Sequence, residues 1–234
     1  MNFFRNIPHS LFHLFFPHVC AGCGSDLVSR ESFLCLRCLE DLPETNFHLH
    51  SDNPIEKIFW GRLPLQNATS QFFFSKGSLM QKLMHQLKYR GNKELGLQLG
   101  KLMGMYLKDA GRFNDVEVLI PLPLFPSRER RRGYNQSMVI CSGIAEVLKI
   151  PVLKDVVVRT QYTETQTKKN RIERWQNMEG RFELKKPNAI ANKHILLVDD
   201  VVTTGSTLEA CGSQLTNAGC SSVSVATLCY AAYR

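Results

Sequence analysis

The sequence predicts an α/β fold with a mostly parallel sheet flanked by helices, on the basis of three observations. From residue 58 onward, short apolar segments alternate with longer segments whose apolar residues recur at helical spacing. The most apolar short segment, His194 to Val198, is nearly continuous, as is typical of a strand covered on both faces. Two carboxylates, a turn rich in hydroxyl groups and a helical segment follow it, an order typical of the ligand-binding edge of open α/β sheets.

The chain of 234 residues is long enough for one ordinary domain and a small additional module. We expect residues 1–57 to hold an N-terminal helix, a cysteine module and a linker, and residues 58–234 to form the α/β domain. The segment from Met1 to Val19 is rich in Phe and Leu but is interrupted by Arg5, histidines and prolines. We expect it to dock onto the body of the protein, and a membrane-surface helix, the alternative, is disfavoured because only one residue there is basic. Residues 41–57 are polar and contain two prolines, which is typical of a linker.

The elements of the α/β domain follow in order along the chain. Strands are predicted at Gln71–Phe74, Val116–Ile120, Val156–Val158, His194–Val198 and Val223–Thr227. Helices are predicted where apolar residues share one face, around residues 79–87, 95–106, 136–148 and 208–218. Residues 160–181 are polar and charged, without a helical or strand period, and are predicted to form a long loop.

Four of the eight cysteines form two Cys-x-x-Cys pairs, Cys20 with Cys23 and Cys35 with Cys38. Thiolates from two such turns surround a zinc ion tetrahedrally, and four thiolates leave no open position for chemistry, so we predict a structural zinc site. A redox pair is the alternative, but it would need a single Cys-x-x-Cys. Because no clean apolar run ends in a small-residue cleavage site, we expect a reducing compartment, the cytoplasm, and ordinary buried thiols elsewhere.

The segment from Val198 to Thr207 is the most specific functional motif. Backbone N–H and hydroxyl groups at a helix N-terminus favour a phosphate, and the residues assigned to it are Thr203, Thr204, Gly205, Ser206 and Thr207. Gly205 would let the backbone approach the phosphate closely. The preceding Asp199 and Asp200 would serve a ribose diol or a magnesium ion. A sugar phosphate fits both halves of the motif, and a helix cap supported by aspartates is the structural alternative.

Two basic segments accompany this motif. The first, from Pro121 to Gln136, has arginines next to a helix start that would either bind pyrophosphate or form a solvated turn: Arg128, Arg130, Arg131 and Arg132. The second lies in the long loop, whose cations would close over a pyrophosphate leaving group as a lid: Lys168, Arg171 and Arg174. The formal net charge of +8 favours anionic partners, such as nucleic acid or phosphorylated small molecules.

The motif at Val198–Thr207 resembles the ribose-phosphate binding motif of type I phosphoribosyltransferases. Five ordered motifs together resemble the ComF/GntX family: the two cysteine pairs, Leu87-Lys88-Tyr89-Arg90-Gly91, the segment Pro121–Gln136, the segment Arg159–Asn177 and the phosphate loop. The resemblance implies a type I phosphoribosyltransferase-like fold preceded by a zinc module. It also implies that Asp199 and Asp200 contact the ribose hydroxyls of phosphoribosyl pyrophosphate, with Mg²⁺ as its companion ion, while the loop binds the 5-phosphate.

The same resemblance implies a role in DNA uptake during natural transformation, with incoming single-stranded DNA and other DNA-uptake proteins as partners. Two hypotheses stay open. In the first, an acceptor base or amine displaces pyrophosphate, with Asp199, Asp200 and Arg171 as the catalytic group and Lys88 among the pyrophosphate ligands. In the second, the scaffold is a nucleic-acid-binding adaptor. A phosphoribosyltransferase of nucleotide metabolism without a DNA role is the further alternative. No run of 18 apolar residues occurs, so no membrane span is expected.

Overall fold

The computed structural model describes residues 18–27, 32–160 and 182–232. Four parallel strands form one sheet in the order β1–β6–β5–β2, with β1 at Ala68–Phe73, β2 at Val118–Pro121, β5 at His194–Val202 and β6 at Ser222–Tyr230. Two short antiparallel strands form a second sheet, β3 at Val157–Arg159 and β4 at Phe182–Leu184. The α/β fold with a parallel sheet is confirmed.

Helices cover both faces of the large sheet. They are α1 at Leu36–Glu40, α2 at Pro54–Phe59, α3 at Leu79–Tyr89, α4 at Lys93–Asp109, α5 at Pro126–Arg132, α6 at Gln136–Leu148 and α7 at Ser206–Asn217, with 3₁₀ turns at Phe47–Leu49 and Pro187–Ala189. Side chains from α3, α4 and α6 pack into one apolar cluster, and side chains from α2 and α7 pack into another. Among the described residues, no helix combines the length and the apolar character that crossing a membrane requires.

Strand β5 is central because its neighbours on both sides are parallel strands and its first residues are fully buried. Ile195 to Val198 have no exposed surface, which agrees with the near-continuous apolar sequence. Pro121 of β2 pairs with Val198, and Thr227 of β6 pairs with Asp199. Since the strands are parallel, their carboxyl ends meet at one edge of the sheet, and this edge carries the acidic pair.

Helices α4 and α6 pack with their backbones in close contact, which fixes the start of α6 at the carboxyl edge. A Cβ on Gly100 would overlap the carbonyl oxygen of Ile140, and a Cβ on Gly143 would overlap that of Leu97. No larger residue fits at either glycine without separating the helices. The position of Ser137 in the first turn of α6 follows from this packing.

The segment 41–57 differs from the expected linker. Asn53 caps α2 by accepting hydrogen bonds from the N–H groups of Ile55 and Glu56, at 2.9 and 3.2 Å, and its amide donates to the carbonyl of Ala68 in β1 at 2.8 Å. Ile55 and Phe59 are fully buried. The polar residues of this segment therefore make caps and cross-links, and the segment is packed onto β1. A domain boundary at residue 57 stays a prediction.

Several other expectations are resolved by the described residues. Cys141, Cys211 and Cys229 are buried thiols, as expected, whereas Cys220 is half-buried. The strand expected at Val156–Val158 exists as β3, but it pairs only with β4 among the described strands. The N-terminal helix expected before Val19 and the lid expected at 160–181 fall largely outside the described residues.

Candidate functional site

The acidic pair belongs to strand β5 itself. The sequence predicted that the strand ends at Val198, but the ladder with β6 continues to the pairing of Val202 with Tyr230, so both carboxylates project from the last part of the strand. Asp199 is half-buried, and its Oδ1 atom accepts hydrogen bonds from the hydroxyl of Ser137 at 3.0 Å and from the backbone N–H of Asp200 at 2.8 Å. These two donors fix the orientation of the carboxylate.

The environment of Asp199 opposes its ionisation. Burial and the neighbouring charge of Asp200 raise the pKa of Asp199 to about 7, while the hydrogen bonds and Lys88 lower it only in part. A carboxyl group with this pKa exchanges its proton near neutral pH. It becomes a full acceptor once a ligand brings hydroxyl donors or a cation to it.

Asp200 has a cationic partner. The ammonium Nζ of Lys88 lies 2.9 Å from its Oδ2, and both side chains are largely buried. Lys88 stands in the last turn of α3. Of the basic residues predicted to bind pyrophosphate, Lys88 alone forms an ion pair with the acidic pair within the described part of the chain.

The predicted phosphate loop divides into a short turn and a helix start. Thr203 and Thr204 are exposed, Gly205 is the N-cap, and Ser206 and Thr207 already belong to α7. The hydroxyls of Thr204 and Ser206 lie 3.0 Å apart. Helix α7 has no side-chain cap, so its first N–H groups remain available to an acceptor from outside. A helix cap made by Thr203 or Thr204, the structural alternative, is therefore absent from this described helix.

Gly205 is required for a reason that differs from the predicted one. Its φ of 72° lies in the left-handed region, and a Cβ there would stand 2.7 Å from Ile58 and 2.9 Å from Phe59. The missing side chain thus makes room for α2, and the close approach of a phosphate to Gly205 stays a prediction. Arg62 completes the support, donating to the carbonyls of Ile58 and Thr204 at 3.0 and 2.9 Å and pairing with Glu209 of α7.

The predicted arginines form a helix. Residues expected in a charged turn lie in α5, where Arg128, Arg130 and Arg131 are exposed. Arg132 is half-buried, donates to the side chain of Gln136 at 2.7 Å, and stands 5.7 Å from the ring centre of Tyr89. Three further predicted site residues, Lys168, Arg171 and Arg174, lie outside the described residues.

Two supporting residues were missed by the sequence. Ser137 donates to an aspartate 62 positions away, and Arg62 bonds to a carbonyl 142 positions away, so neither contact leaves a local pattern. For Ser137 a signal existed in its neighbour, because Asn135 opens helix α6 by accepting from the N–H of Ser137 at 3.0 Å. Nothing in the sequence around Arg62 indicates its role.

The geometry supports binding of a sugar phosphate. The start of α7 offers N–H groups and hydroxyls to a phosphate, and the carboxylates of β5 offer acceptors to a diol or oxygen ligands to Mg²⁺. Both groups stand on one continuous strand–turn–helix unit, so their separation is fixed by the fold.

A second site is formed by the four clustered cysteines. The Sγ atoms of Cys20, Cys23, Cys35 and Cys38 all lie within 4.8 Å of one another, and those of Cys23 and Cys35 are 3.7 Å apart. Four sulfurs about 2.3 Å from a central zinc stand about 3.8 Å apart, so this spacing fits tetrahedral coordination. The N–H groups of Gly22 and Cys35 point to the sulfur of Cys20 at 3.4 and 3.3 Å.

The pKa values of the thiols differ within the cluster, so some of the cysteines ionise more easily than others. A hydrogen bond from the Ser25 hydroxyl is the main cause that lowers the pKa of Cys23 to about 6. Burial and the neighbouring thiols raise the pKa of Cys38 to about 12. Four thiolates at this spacing repel one another, and a divalent cation is the group that relieves this repulsion.

The cysteine cluster is attached to the rest of the protein through α3. The side chain of Gln86 donates to the carbonyl of Ala21 at 2.6 Å. A Cβ on Gly22 would stand 2.7 Å from Leu79, so the first cysteine turn lies directly against this helix. Cys20, Leu34 and Cys38 share the apolar cluster that includes the buried face of α3.

Comparisons with known proteins identify a matching family model and several relatives. The family model described as phosphoribosyl transferase domain matches residues 135–234. The DNA utilization protein YhgH of Escherichia coli O157:H7 is 31% identical over 215 residues, which are 90% of this chain and 89% of the relative. Competence protein F of Haemophilus influenzae is 27% identical over 220 residues, 90% of this chain and 96% of the relative.

Solved structures are similar at a lower level, as one example illustrates. The glutamine phosphoribosylpyrophosphate amidotransferase of B. subtilis is 18% identical, with a TM-score of 0.44, and the match covers 62% of this chain and 30% of that protein. Its likeness is too weak to bear on function.

Proposed function

This chain belongs to the ComF family, and we propose that it binds phosphoribosyl pyrophosphate with Mg²⁺ at the carboxyl end of β5 and acts on internalised single-stranded DNA. The observation that carries the first part is the strand–turn–helix unit from Asp199 to Thr207. It presents an acidic pair and an open helix N-terminus on one rigid element, and a ribose 5-phosphate has the matching hydroxyls and phosphate.

Within this proposal, each part of the ligand has a counterpart. The 5-phosphate accepts from the first N–H groups of α7 and from the Thr and Ser hydroxyls. The ribose hydroxyls donate to Asp199 and Asp200, while Ser137 keeps the first carboxylate oriented. The pyrophosphate extends toward Lys88 and α5. Asp199 and Asp200 would hold Mg²⁺ through their carboxylate oxygens, and the ion would supply positive charge that stabilises the pyrophosphate.

The DNA part of the proposal is supported by the surface beside this pocket and by the names of the relatives. Tyr89 is 61% exposed, lies 5.1 Å from the ring of His85 and follows Lys88 directly. Exposed Arg90, Arg130 and Arg131 are close in sequence to Tyr89 and to Arg132, which stands over the Tyr89 ring. Exposed aromatic rings among cations are the usual means of binding single strands without sequence preference.

The cysteine cluster is proposed to hold one structural Zn²⁺. Its four sulfurs fit the tetrahedral spacing, and their attachment to α3 gives the metal a role in folding. Four cysteine ligands fill the coordination sphere, so the ion would not take part in chemistry.

The proposal is tested by isothermal titration calorimetry with phosphoribosyl pyrophosphate and Mg²⁺. We expect the natural protein to bind and Asp200→Asn to lose at least about tenfold in affinity, because the amide cannot replace a carboxylate toward hydroxyl donors or a cation. Asp109→Asn is the matched control, since Asp109 is an exposed residue at the end of α4. Equal affinity in all three proteins, or no binding by the natural protein, contradicts the proposal.

A further inference from the structure

We infer that Lys88 is a tethered counter-cation, which competes with Mg²⁺ for Asp200 until a pyrophosphate gives its ammonium a new partner. The inference rests on the function proposed above and concerns the regulation of the same site. Its consequence is that Mg²⁺ alone binds weakly, whereas Mg²⁺ and phosphoribosyl pyrophosphate strengthen each other's binding.

The first support is the position of the ammonium group. Its nitrogen is 2.9 Å from Oδ2 of Asp200, on the carboxylate that the proposed Mg²⁺ and ribose would use. The side chain of Lys88 is 22% exposed and that of Asp200 is 14% exposed, so water screens the pair less than it screens a surface pair. A cation that arrives at this carboxylate must therefore displace the lysine or share the oxygen with it.

The second support is that the backbone carrying Lys88 is fixed while its side chain is a long chain of rotatable bonds. Leu87 is fully buried, and its carbonyl accepts a hydrogen bond from the hydroxyl of Tyr134. An ammonium on a four-carbon stem changes partner by rotating about side-chain bonds, without movement of the helix. Tyr134 lies two residues after Arg132, the last of the predicted arginines in α5, so this hydrogen bond ties the end of α3 to the predicted pyrophosphate side.

The third support is the charge balance of the pocket. Asp199 and Asp200 are consecutive residues at the end of β5, so the site places two carboxylates close together. In the ligand-free protein one ammonium offsets part of this charge. Mg²⁺ brings two positive charges, and the pyrophosphate brings negative charge that the released ammonium then meets. When both ligands bind, Mg²⁺ neutralises the carboxylates and the pyrophosphate neutralises the ammonium of Lys88. When Mg²⁺ binds alone, it displaces Lys88 and leaves the ammonium without a partner.

The test removes the ammonium and measures Mg²⁺ binding without any sugar phosphate. In Lys88→Met, which keeps an unbranched apolar side chain and lacks the ammonium, we expect Mg²⁺ alone to bind about tenfold more tightly than in the natural protein, a size usual for coupled sites. Lys88→Gln repeats the measurement with a polar side chain, in case the methionine variant is poorly folded. Circular dichroism and thermal melting check the fold of each variant.

Lys101→Met is the matched control, because Lys101 forms a comparable ion pair with Glu146, 2.7 Å long, between α4 and α6. We expect this variant to bind Mg²⁺ and phosphoribosyl pyrophosphate as the natural protein does. The Lys88 variants should also bind phosphoribosyl pyrophosphate more weakly in the presence of Mg²⁺, and the mutual strengthening of the two ligands should shrink.

The outcomes separate this inference from the proposed function. If Mg²⁺ binds folded Lys88→Met and Lys88→Gln no more tightly than the natural protein, the competition is refuted even when phosphoribosyl pyrophosphate still binds. If the natural protein fails to bind phosphoribosyl pyrophosphate, the proposed function fails, and tighter Mg²⁺ binding by the Lys88 variants would still support the competition.

Discussion

Asp199 has its carboxyl group inside the protein beside the like charge of Asp200, and both conditions oppose ionisation. The folded protein therefore binds a proton at this group more tightly than the unfolded chain does. Ionised Asp199 lowers stability, and the fold retains it only because other contacts offset the loss. Such a residue is typical of ligand sites, where function and stability conflict.

This conflict predicts the effect of Asp199→Asn on stability. The pKa of Asp199 rises from 3.8 in the unfolded chain to about 7 in the folded protein. The loss of stability caused by ionised Asp199 is therefore absent below pH 3.8, grows as the pH rises from 3.8 to about 7, and is complete above pH 7. At pH 8 we expect the variant to be more stable by a few kcal/mol, on the order of the pKa difference, and the gain to shrink as the pH falls toward 4.

Urea unfolding of the two proteins at pH 8, 6 and 5 measures this gain. Because the difference between variant and natural protein is compared at each pH, effects of pH on the cysteine cluster cancel. Asp109→Asn should show no such gain. A stability difference that stays constant with pH, or a variant that is less stable at pH 8, would contradict the assignment.

The residues of the candidate site were predictable where the chain itself brings them together. Asp199 to Thr207 are consecutive, so one motif contained the acidic pair, the hydroxyls and the helix start. Ser137 and Arg62 reach the motif only through the folding of distant segments, and α6 reaches it because two glycines allow close packing with α4. Contacts of this kind have no local pattern from which to predict them.

At the scale of elements, strand and helix types were predictable and their ends were less so. Strand β5 was predicted to stop where its apolar run stops, but backbone pairing with β6 continues through the carboxylates to Val202. Hydrogen bonding of the ladder, to which side-chain polarity contributes little, decides this end. In the same way the polarity of residues 41–57 indicated a linker, whereas Asn53 uses its polar atoms to cap α2 and to join it to β1.

The cysteine module is the element whose stability depends most on a ligand. We expect the purified protein to contain about one zinc per chain, and Cys35→Ser to lower the zinc content and the melting temperature, because the metal supplies folding energy to a module with few apolar residues. Cys220→Ser is the control, since Cys220 is also half-buried and lies outside the cluster. Elemental analysis that finds no zinc, or equal zinc in both variants, would refute the site.

At the scale of the whole molecule, part of the formal net charge of +8 lies on arginines whose positions the structure gives. Arg132 of α5 stands over the ring of exposed Tyr89, which follows Lys88 of the Lys88–Asp200 ion pair, and Arg130 and Arg131 of the same helix are exposed. The sequence predicted the positive charge and the arginine segment, but not that an exposed aromatic ring stands beside them. This combination is what distinguishes a nucleic-acid surface from an ordinary solvated helix.

We therefore expect single-stranded DNA to bind with an affinity that falls steeply with salt. The double variant Arg130→Gln with Arg131→Gln should reduce the slope of log K against log salt by about 1.4, since each phosphate contact contributes about 0.7. The double variant Lys108→Gln with Lys185→Gln removes the same charge from exposed positions elsewhere and should change the slope little. Tyr89→Ala should weaken binding by about 1–3 kcal/mol without a change of slope.

Fluorescence anisotropy with a labelled oligothymidine at several salt concentrations measures these effects. A flat response to salt, or no binding at low salt, rejects the DNA role. Binding of phosphoribosyl pyrophosphate without DNA binding would instead favour a phosphoribosyltransferase of nucleotide metabolism.

Helix α3 touches the first cysteine turn at Leu79 and Gln86, and its Lys88, two residues after Gln86, pairs with Asp200. A single helix thus supports both of the sites for which ions are proposed. A change at the cysteine cluster that moves this helix alters the geometry at Asp200. By thermodynamic linkage, a change at Asp200 then affects the cysteine cluster to the same extent. Removal of zinc from the cysteines should therefore weaken the binding of phosphoribosyl pyrophosphate at the sheet edge. Bound phosphoribosyl pyrophosphate should in turn slow the dissociation of zinc.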